Sequence, residues 1–404
     1  MKANPRRASI IIKVPKNSPR MMRKPMKLPE MVNHENVEFL DLSEVAPVKP
    51  SYITVNYSDF LTAQENTEIN SHKEIYYIRK KRPIHSKQNR IGNFFKFTKE
   101  EHIAYRYEQI SILGQGAFGN VINCIDHKTH EKVAIKMLRD KPKLHSQVLF
   151  ELKLLMKLQG SDYIINYIES FQFRGFFCIV MELLGKDVYS VLADRKFLPF
   201  PKHVIQNVAR ETTLGLKYMH STGIIHCDIK PENILFFENN MNNVKIIDFG
   251  CSCYVGKLMY SYIQSRYYRA PEVVFGIQYS TPIDMWSLGC VICELLTGTP
   301  LFPAEDENEL VNQISEVIGL PPKELIKKGP RAKHYFNEDG TLKNFANTKG
   351  KKYEVSNKTL RDLAHIKDND LLDLVEKCLT WDPKERITPD QFLLHPWINK
   401  EFNL

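Results

Sequence analysis

Three glycines spaced as Gly114-x-Gly116-x-x-Gly119, with Val121 two residues on, lie between two strand-like runs. No other feature constrains the fold as tightly. Glycines at this spacing let a backbone turn closely over phosphate groups and aim its N–H groups at them. Dinucleotide-binding folds use the same spacing but open a helix behind it. Here Val121 to Asp126 reads as a strand, so the loop is the tip of a β-hairpin, which argues against the dinucleotide version.

The neighbouring segments extend that pattern. Glu108 to Leu113, Val121 to Asp126 and Lys132 to Leu138 are short β-rich runs separated by turn residues. A helix is predicted near His145 to Gln159, and a strand at Ile179 runs into a connecting segment at Leu184. Beyond Leu198 the pattern is mainly helical. The expected fold class is α+β in two lobes: a small antiparallel sheet with one main helix over 107–184, and a larger helical lobe over 185–397. The chain's 404 residues suffice for a large core. No apolar run approaches the ~18 residues of a membrane span. Ile10-Ile11-Ile12 is cut off by Lys13 and Pro15, against a signal peptide. Eight scattered cysteines suit reduced intracellular thiols. Cys290-x-x-Cys293 falls inside the apolar run Leu288 to Leu296 and reads as core, not zinc.

The formal charge of +9 belongs to the first hundred residues, which hold 19 Lys and Arg against 10 Asp and Glu. Residues 1–50, acid-free as far as Pro29 and punctuated by prolines, read as a disordered basic tail. Its prolines weaken the amphipathic helix that a transit peptide needs. Arg6-Arg7-Ala8-Ser9 reads as a chance basic-serine match. In 51–106, Asp59 to Asn66 reads as a short helix and Glu74 to Ile78 as a strand. Arg79-Lys80-Lys81-Arg82-Pro83 reads equally as a nuclear-import or anion patch and as a solvated strand end.

Further motifs follow in a fixed order. Val133-Ala134-Ile135-Lys136 precedes Glu151 on the first helix, and His226-Cys227-Asp228-Ile229-Lys230-Pro231-Glu232-Asn233 precedes Asp248-Phe249-Gly250. Then come Ala270-Pro271-Glu272, Asp284-Met285-Trp286 and, near the end, Arg386. With this set, residues 107–397 resemble a eukaryotic protein kinase, followed by a short C-terminal end at 398–404. The resemblance implies ATP as phosphate donor with Mg2+, Mn2+ being the alternative. It implies that Lys136 holds the α- and β-phosphates and pairs with Glu151, and that Asp228 accepts the substrate hydroxyl proton. Lys230 would balance the γ-phosphate charge, and Asn233 and Asp248 would hold the metal. Gly114, Gly116 and Gly119 would cover the phosphates, and Val121, Ala134 and Leu235 would contact adenine, with Leu113 in the same ATP-binding set. Glu182 and Leu184 would bind adenine through backbone groups, and Met181 would be the gatekeeper. Asp187 would bond the ribose or else cap the helix after it. Glu272 would pair with Arg386, and Asp284 would tie down the catalytic loop.

The finer resemblance is to the DYRK family, the dual-specificity tyrosine-regulated kinases of the CMGC group, most like class II. His226-Cys227-Asp228, with cysteine where most kinases keep arginine, carries it, as do Asp248-Phe249-Gly250-Cys251-Ser252-Cys253, Tyr260 to Arg269 and His102 to Tyr107. Leu61-Thr62-Ala63, Glu68-Ile69 and Glu74-Ile75-Tyr76 resemble the class II accessory segment, which docks on the small lobe and assists tyrosine autophosphorylation. Arg90 to Phe95 stands where family members often carry an acidic, asparagine-rich box. The resemblance implies one autophosphorylation at Tyr262, with Arg266 and Arg269 binding the phosphotyrosine, and then transfer to serine and threonine. Proline-directed protein substrates with an upstream arginine are expected, with Glu232 as its reader. A monomer without nucleic-acid or membrane partners is expected, in the cytoplasm and also the nucleus. Cys227 and Cys253 read as inert thiols in preference to a regulatory disulfide. An intact catalytic set argues against the competing reading, a nucleotide-binding scaffold without turnover.

Overall fold

The computed structural model describes residues 39–83, 90–91, 94–116, 119–139, 142–238, 240–257, 262–343 and 359–402. Most of the expected basic tail, with Arg6 to Ser9, lies outside the described residues, as do Tyr260 and residues 344–358. Among the described residues no helix is long and apolar enough to cross a membrane.

The small lobe is one antiparallel sheet. Its strands are β3 (His102–Ile103), β4 (Tyr107–Gln115), β5 (Gly119–Asp126), β6 (Glu131–Arg139), β7 (Tyr167–Phe173) and β8 (Phe176–Glu182), in the order β3-β4-β5-β6-β8-β7. Strand β5 alternates between buried and half-buried residues, as a strand with one face on a core must. A short hairpin, β1 (Arg90–Ile91) with β2 (Phe94–Phe95), packs on this sheet. Asn120 Nδ2 donates to the Phe95 carbonyl at 2.9 Å, and the Phe95 ring meets Phe176 edge-on at 5.3 Å. Gly119 opens β5 so close to β6 that a Cβ would fall 1.9 Å from the Met137 carbonyl oxygen, so no other residue fits there.

Ahead of the sheet come α1 (Pro50–Asn56) and α2 (Ala63–Glu68); between β6 and β7 comes α3 (Pro142–Lys157). The large lobe holds α4 (Val188–Asp194), α5 (Lys202–Ser221), α6 (Pro271–Phe275), α7 (Pro282–Thr297) and α8 (Glu307–Ile318), with shorter helices beyond. Helix α7 is buried from Ile283 to Leu295. A helix apolar on every side belongs at the centre of a lobe. Gly298 ends it at φ +84°, where a Cβ would meet the Phe197 carbonyl oxygen at 1.8 Å. Two small β units complete the lobe: β9 (Ile224–Ile225) with β12 (Cys253–Tyr254), and the hairpin β10 (Ile234–Phe237) with β11 (Asn240–Ile246). Together these elements make the two-lobed α+β fold expected from the pattern.

Four details depart from expectation. The segment read as tail up to residue 50 is packed from residue 40, with Leu40 and Leu42 buried beside Ile53, Phe60 and Ile75. Asp59 to Asn66 is not one helix, because Thr62 caps a new one: its hydroxyl accepts Glu65 N–H at 3.3 Å and Glu65 returns a bond to Thr62 N at 2.8 Å. Glu74 to Ile78 is extended without being a strand, since only Ile75 bridges Val48, while Tyr76 and Tyr77 both donate to the Tyr105 carbonyl. Arg79 is turned inward and is unavailable to an exposed basic patch.

Arg79 joins a buried charge cluster that fastens the accessory segment to the sheet. Its guanidinium bonds both oxygens of Glu65 and both oxygens of Glu101. Glu65, 1% exposed, also meets His102 at 3.0 Å and Arg174 at 3.0 Å, while Arg174 takes Glu68 as well. Burial alone would raise the Glu65 carboxyl. The His102 and Arg79 hydrogen bonds outweigh it and hold the group well below the usual carboxylate range. Breaking a buried pair by removing one partner costs about 3–5 kcal/mol. Arg79→Ala is therefore expected to release residues 51–83 to limited proteolysis while the two lobes stay protected. Unchanged cleavage would contradict this anchoring role.

Candidate active site

The cleft between the lobes has a volume of about 1560 Å3. Its roof is the β4–β5 hairpin, with Leu113, Gly114, Gly116, Gly119 and Val121 in the lining. Sheet register orders its back wall: Val121 stands opposite Lys136, and Ala134 opposite Met181. Glu182, Leu184 and Asp187 follow along the connecting segment, and Leu235 lies below on β10. The residues of the expected ATP-binding set, with Asn233 and Asp248, line this one cleft, while Asp228 and Lys230 lie outside its lining. Asp187 caps α4, since its carboxylate accepts Ser190 N–H at 2.8 Å and the Ser190 hydroxyl at 2.5 Å. Of the two roles weighed for it, the cap is the one this geometry forms.

At the cleft's inner end Lys136 Nζ donates to Glu151 at 2.7 Å and to Asp248 at 3.2 Å. Burial works against the Lys136 ammonium, but the two carboxylates more than compensate and keep it charged. The Lys136 charge lowers the Asp248 carboxyl in return, against the effect of burial. Phe249, just behind Asp248, is buried edge-on to His226. His226 Nδ1 accepts the Asp228 N–H at 3.2 Å, so its Nε2 carries the proton that bonds the Ile247 carbonyl at 3.0 Å.

Asp228 is surrounded by donors. Its Oδ2 accepts from Lys230 at 2.6 Å and Asn233 at 3.2 Å, and its Oδ1 accepts from Ser265 N at 3.0 Å and Ser265 Oγ at 2.9 Å. The Ser265 hydroxyl also receives Lys230 at 3.2 Å, so a hydroxyl fits between this carboxylate and this ammonium. Asn233 spends its amide nitrogen on Asp228, also bonding its carbonyl at 2.9 Å, which leaves the amide oxygen as the donor for a cation. With Asp248 that makes two hard oxygen ligands, a set that suits Mg2+.

The loop hangs on Asp284, which is fully buried at the start of α7 and accepts His226 N–H at 2.9 Å, Cys227 N–H at 3.0 Å and His220 Nε2 at 2.8 Å. Cys227 occupies the left-handed region at φ +67°, and its thiol lies 3.6 Å from that of Cys253 with both buried. The Cys253 contact and burial push the Cys227 thiol well above its usual value. Burial without thiolate character fits the inert reading. Cys290 and Cys293 are buried in α7, as expected of core thiols.

The activation segment closes on two anchors. Glu272 and Arg386 form a fully buried bidentate pair at 2.7 and 2.9 Å. Tyr262 is 60% exposed with its ring 3.8 Å from the Arg269 guanidinium carbon, and hydrogen bonding from Arg269, then Arg266, lowers its phenol. Arg269 also bonds Glu307 at 2.9 Å and the Ile263 and Gln264 carbonyls, and Arg266 bonds the Glu305 carbonyl.

Three residues to which the sequence assigned no role complete the site. Ser265 bridges Asp228 and Lys230. Gln264, at φ +62°, ties the segment to α7 by bonding Ser287 at 2.7 Å. Glu294, hidden in the apolar run of α7, accepts the Tyr268 hydroxyl at 2.6 Å. Burial pushes its carboxyl up to about 7, with the Glu232 charge adding to this and the Tyr268 bond opposing it. A raised carboxyl stabilises the fold fully below its unfolded value of 4.5 and loses that contribution as pH rises through about 7. The loss amounts to about 3 kcal/mol at ~1.4 kcal/mol per pKa unit. Urea unfolding across that window should therefore flatten in Glu294→Gln relative to wild type.

Residues 107–398 match the protein kinase domain. Dual specificity tyrosine-phosphorylation-regulated kinase 2 of Drosophila melanogaster is 39% identical over 87% of this chain and 51% of its own length. Dual specificity tyrosine-phosphorylation-regulated kinase 4 of Homo sapiens is 42% identical over 77% of this chain and 61% of its own length. For dual specificity tyrosine-phosphorylation-regulated kinase 3 of Macaca fascicularis the figures are 37%, 88% and 68%. The chain spans about half the length of the first of these and less than two thirds of the second.

Proposed function

The chain belongs to the DYRK family of CMGC protein kinases, and on that basis we propose that it transfers the ATP γ-phosphate to serine and threonine of protein substrates after phosphorylating its own Tyr262. The observation that carries this reading is the Lys136–Glu151–Asp248 network at the closed end of the cleft, with Asp228 beyond it. Such a pair on the surface would be worth little. Here it sets a charge where phosphates would lie.

In this mechanism Lys136 grips the α- and β-phosphates while Asp228 orients the substrate hydroxyl and takes its proton. Lys230, bonded to Asp228, lies on the side where negative charge would build on the transferred group. Asp248 and the Asn233 amide oxygen would hold Mg2+, which when bound would supply positive charge against that of the phosphates. No covalent intermediate is required, since positioning and charge stabilisation supply most of the rate.

Cys227 supplies no cation to the activation loop, so Arg266 and Arg269 take that task. A phosphate on Tyr262 would gain charge-assisted bonds from the two guanidiniums already beside its phenol. Glu232, exposed next to the catalytic loop, supports a preference for arginine upstream of the target. The segment over 51–83, held to the small lobe by Glu65, Arg79 and Arg174, would assist tyrosine autophosphorylation as the class II accessory segment does. We place the enzyme in the cytoplasm and nucleus as a monomer acting on proteins rather than nucleic acids.

Wild-type protein made in bacteria is expected to carry phosphate on Tyr262, and Asp228→Asn none, by peptide mass mapping. Phosphate on neither would favour a nucleotide-binding scaffold. Tyr262→Phe should cut peptide phosphorylation at least about tenfold, the equivalent of one charge-assisted hydrogen bond of ~1.5 kcal/mol. Undiminished activity would mean that Tyr262 only packs.

A further inference from the structure

Lys245 lies on β11, three residues before Asp248, with 3% of its surface exposed. An ammonium withdrawn from water needs a counter-charge. Lys245 Nζ donates to Glu182 Oε1 at 2.6 Å, and the Phe237 ring covers it at 5.3 Å. The same Glu182 oxygen accepts the Asn166 N–H at 2.6 Å, and Glu182 N returns a bond to the Asn166 carbonyl at 3.1 Å.

Three segments meet at this ion pair: the end of β8 where the connecting segment begins, the loop entering β7, and β11. That loop is also laced to β11, through Ile165 N to the Ile246 carbonyl at 3.1 Å and Ile246 N to the Tyr163 carbonyl at 2.9 Å. Across the β10–β11 hairpin, Lys245 stands opposite Leu235, the lower wall of the cleft. The adenine end of the cleft and the strand leading to Asp248 therefore share one rigid junction. A buried ion pair adds little stability over an apolar pair of the same volume. What it does fix is the distance and direction between the strands it joins.

We propose that Lys245 is a positioning residue for nucleotide exchange: through Glu182 and Asn166 it holds the connecting segment against the strand leading to Asp248, and so sets how fast ADP leaves. The inference rests on the reading of this cleft as a nucleotide site.

The test uses the full chain as wild type, Lys245→Met and Lys245→Arg. The readouts are stopped-flow dissociation of a fluorescent ADP analogue and the KM for ATP and for a peptide. Lys245→Met is expected to raise ADP dissociation and the ATP KM about three- to tenfold. The peptide KM should stay within about twofold, and Lys245→Arg should restore most of the loss, because its guanidinium keeps the charge and the donors. Nucleotide constants unchanged in a folded Lys245→Met overturn the proposal. So does a peptide KM that rises equally, or an arginine variant no better than methionine. If Lys245→Met does not fold, the paired Lys245→Met/Glu182→Gln leaves no unpaired buried charge. Raised ADP dissociation there supports the proposal, and wild-type values overturn it. A wild type that binds no ADP overturns the nucleotide reading itself, a result distinct from all of these.

Discussion

The catalytic loop depends on a single carboxylate. Asp284 is withdrawn from water at the head of the most deeply buried helix, where an unsatisfied charge would be very costly. Three donors meet that need, two of them main-chain N–H groups of consecutive loop residues. This holds Cys227 in a left-handed backbone conformation that a non-glycine residue enters only with compensation. Reversing the chain there points His226 towards Phe249 and Asp228 towards Lys230, Asn233 and Ser265. The helix thus places the chemistry without contacting the reacting groups.

The two ends of the molecule use buried charge in the same manner. Glu65 with Arg79, Arg174 and His102 fastens the accessory segment, and Glu272 with Arg386 fastens the activation segment. In each case a planar guanidinium meets a carboxylate with both prongs, which fixes orientation as well as distance. Between these anchors lies Tyr262, 60% exposed beside Arg269.

The strands of the small lobe and the residues of the cleft were legible because each follows a short local rule. Glycine spacing marks the β4–β5 turn, alternation marks β5, and the order of Lys136, Asp228 and Asp248 marks the chemistry. What escaped depends on long-range burial. Glu65 and Arg79 look like surface residues in sequence, and only the packing of α2 against β3 turns them inward. Glu294 sits inside an apolar run that reads as plain core, so nothing local signals that its carboxylate receives Tyr268. Glu74 to Ile78 carries strand-forming residues, but its neighbours offer only the Tyr105 carbonyl and one bridge at Val48, so no ladder forms. Thr62 broke the expected helix because its hydroxyl bonds the backbone three residues on, a local competition that hydrophobic periodicity does not register.

The Glu272–Arg386 pair has a consequence for how the chain is assembled. Its partners are 114 positions apart, so the contact closes a long loop whose entropy must be lost before the pair returns any free energy. A chain emerging from the ribosome presents Glu272 well before Arg386, and domains acquire their non-local contacts in that order. Through that interval α6 carries a carboxylate bound for burial with no guanidinium to receive it. Until Arg386 is made, the large lobe is thus left open at α6.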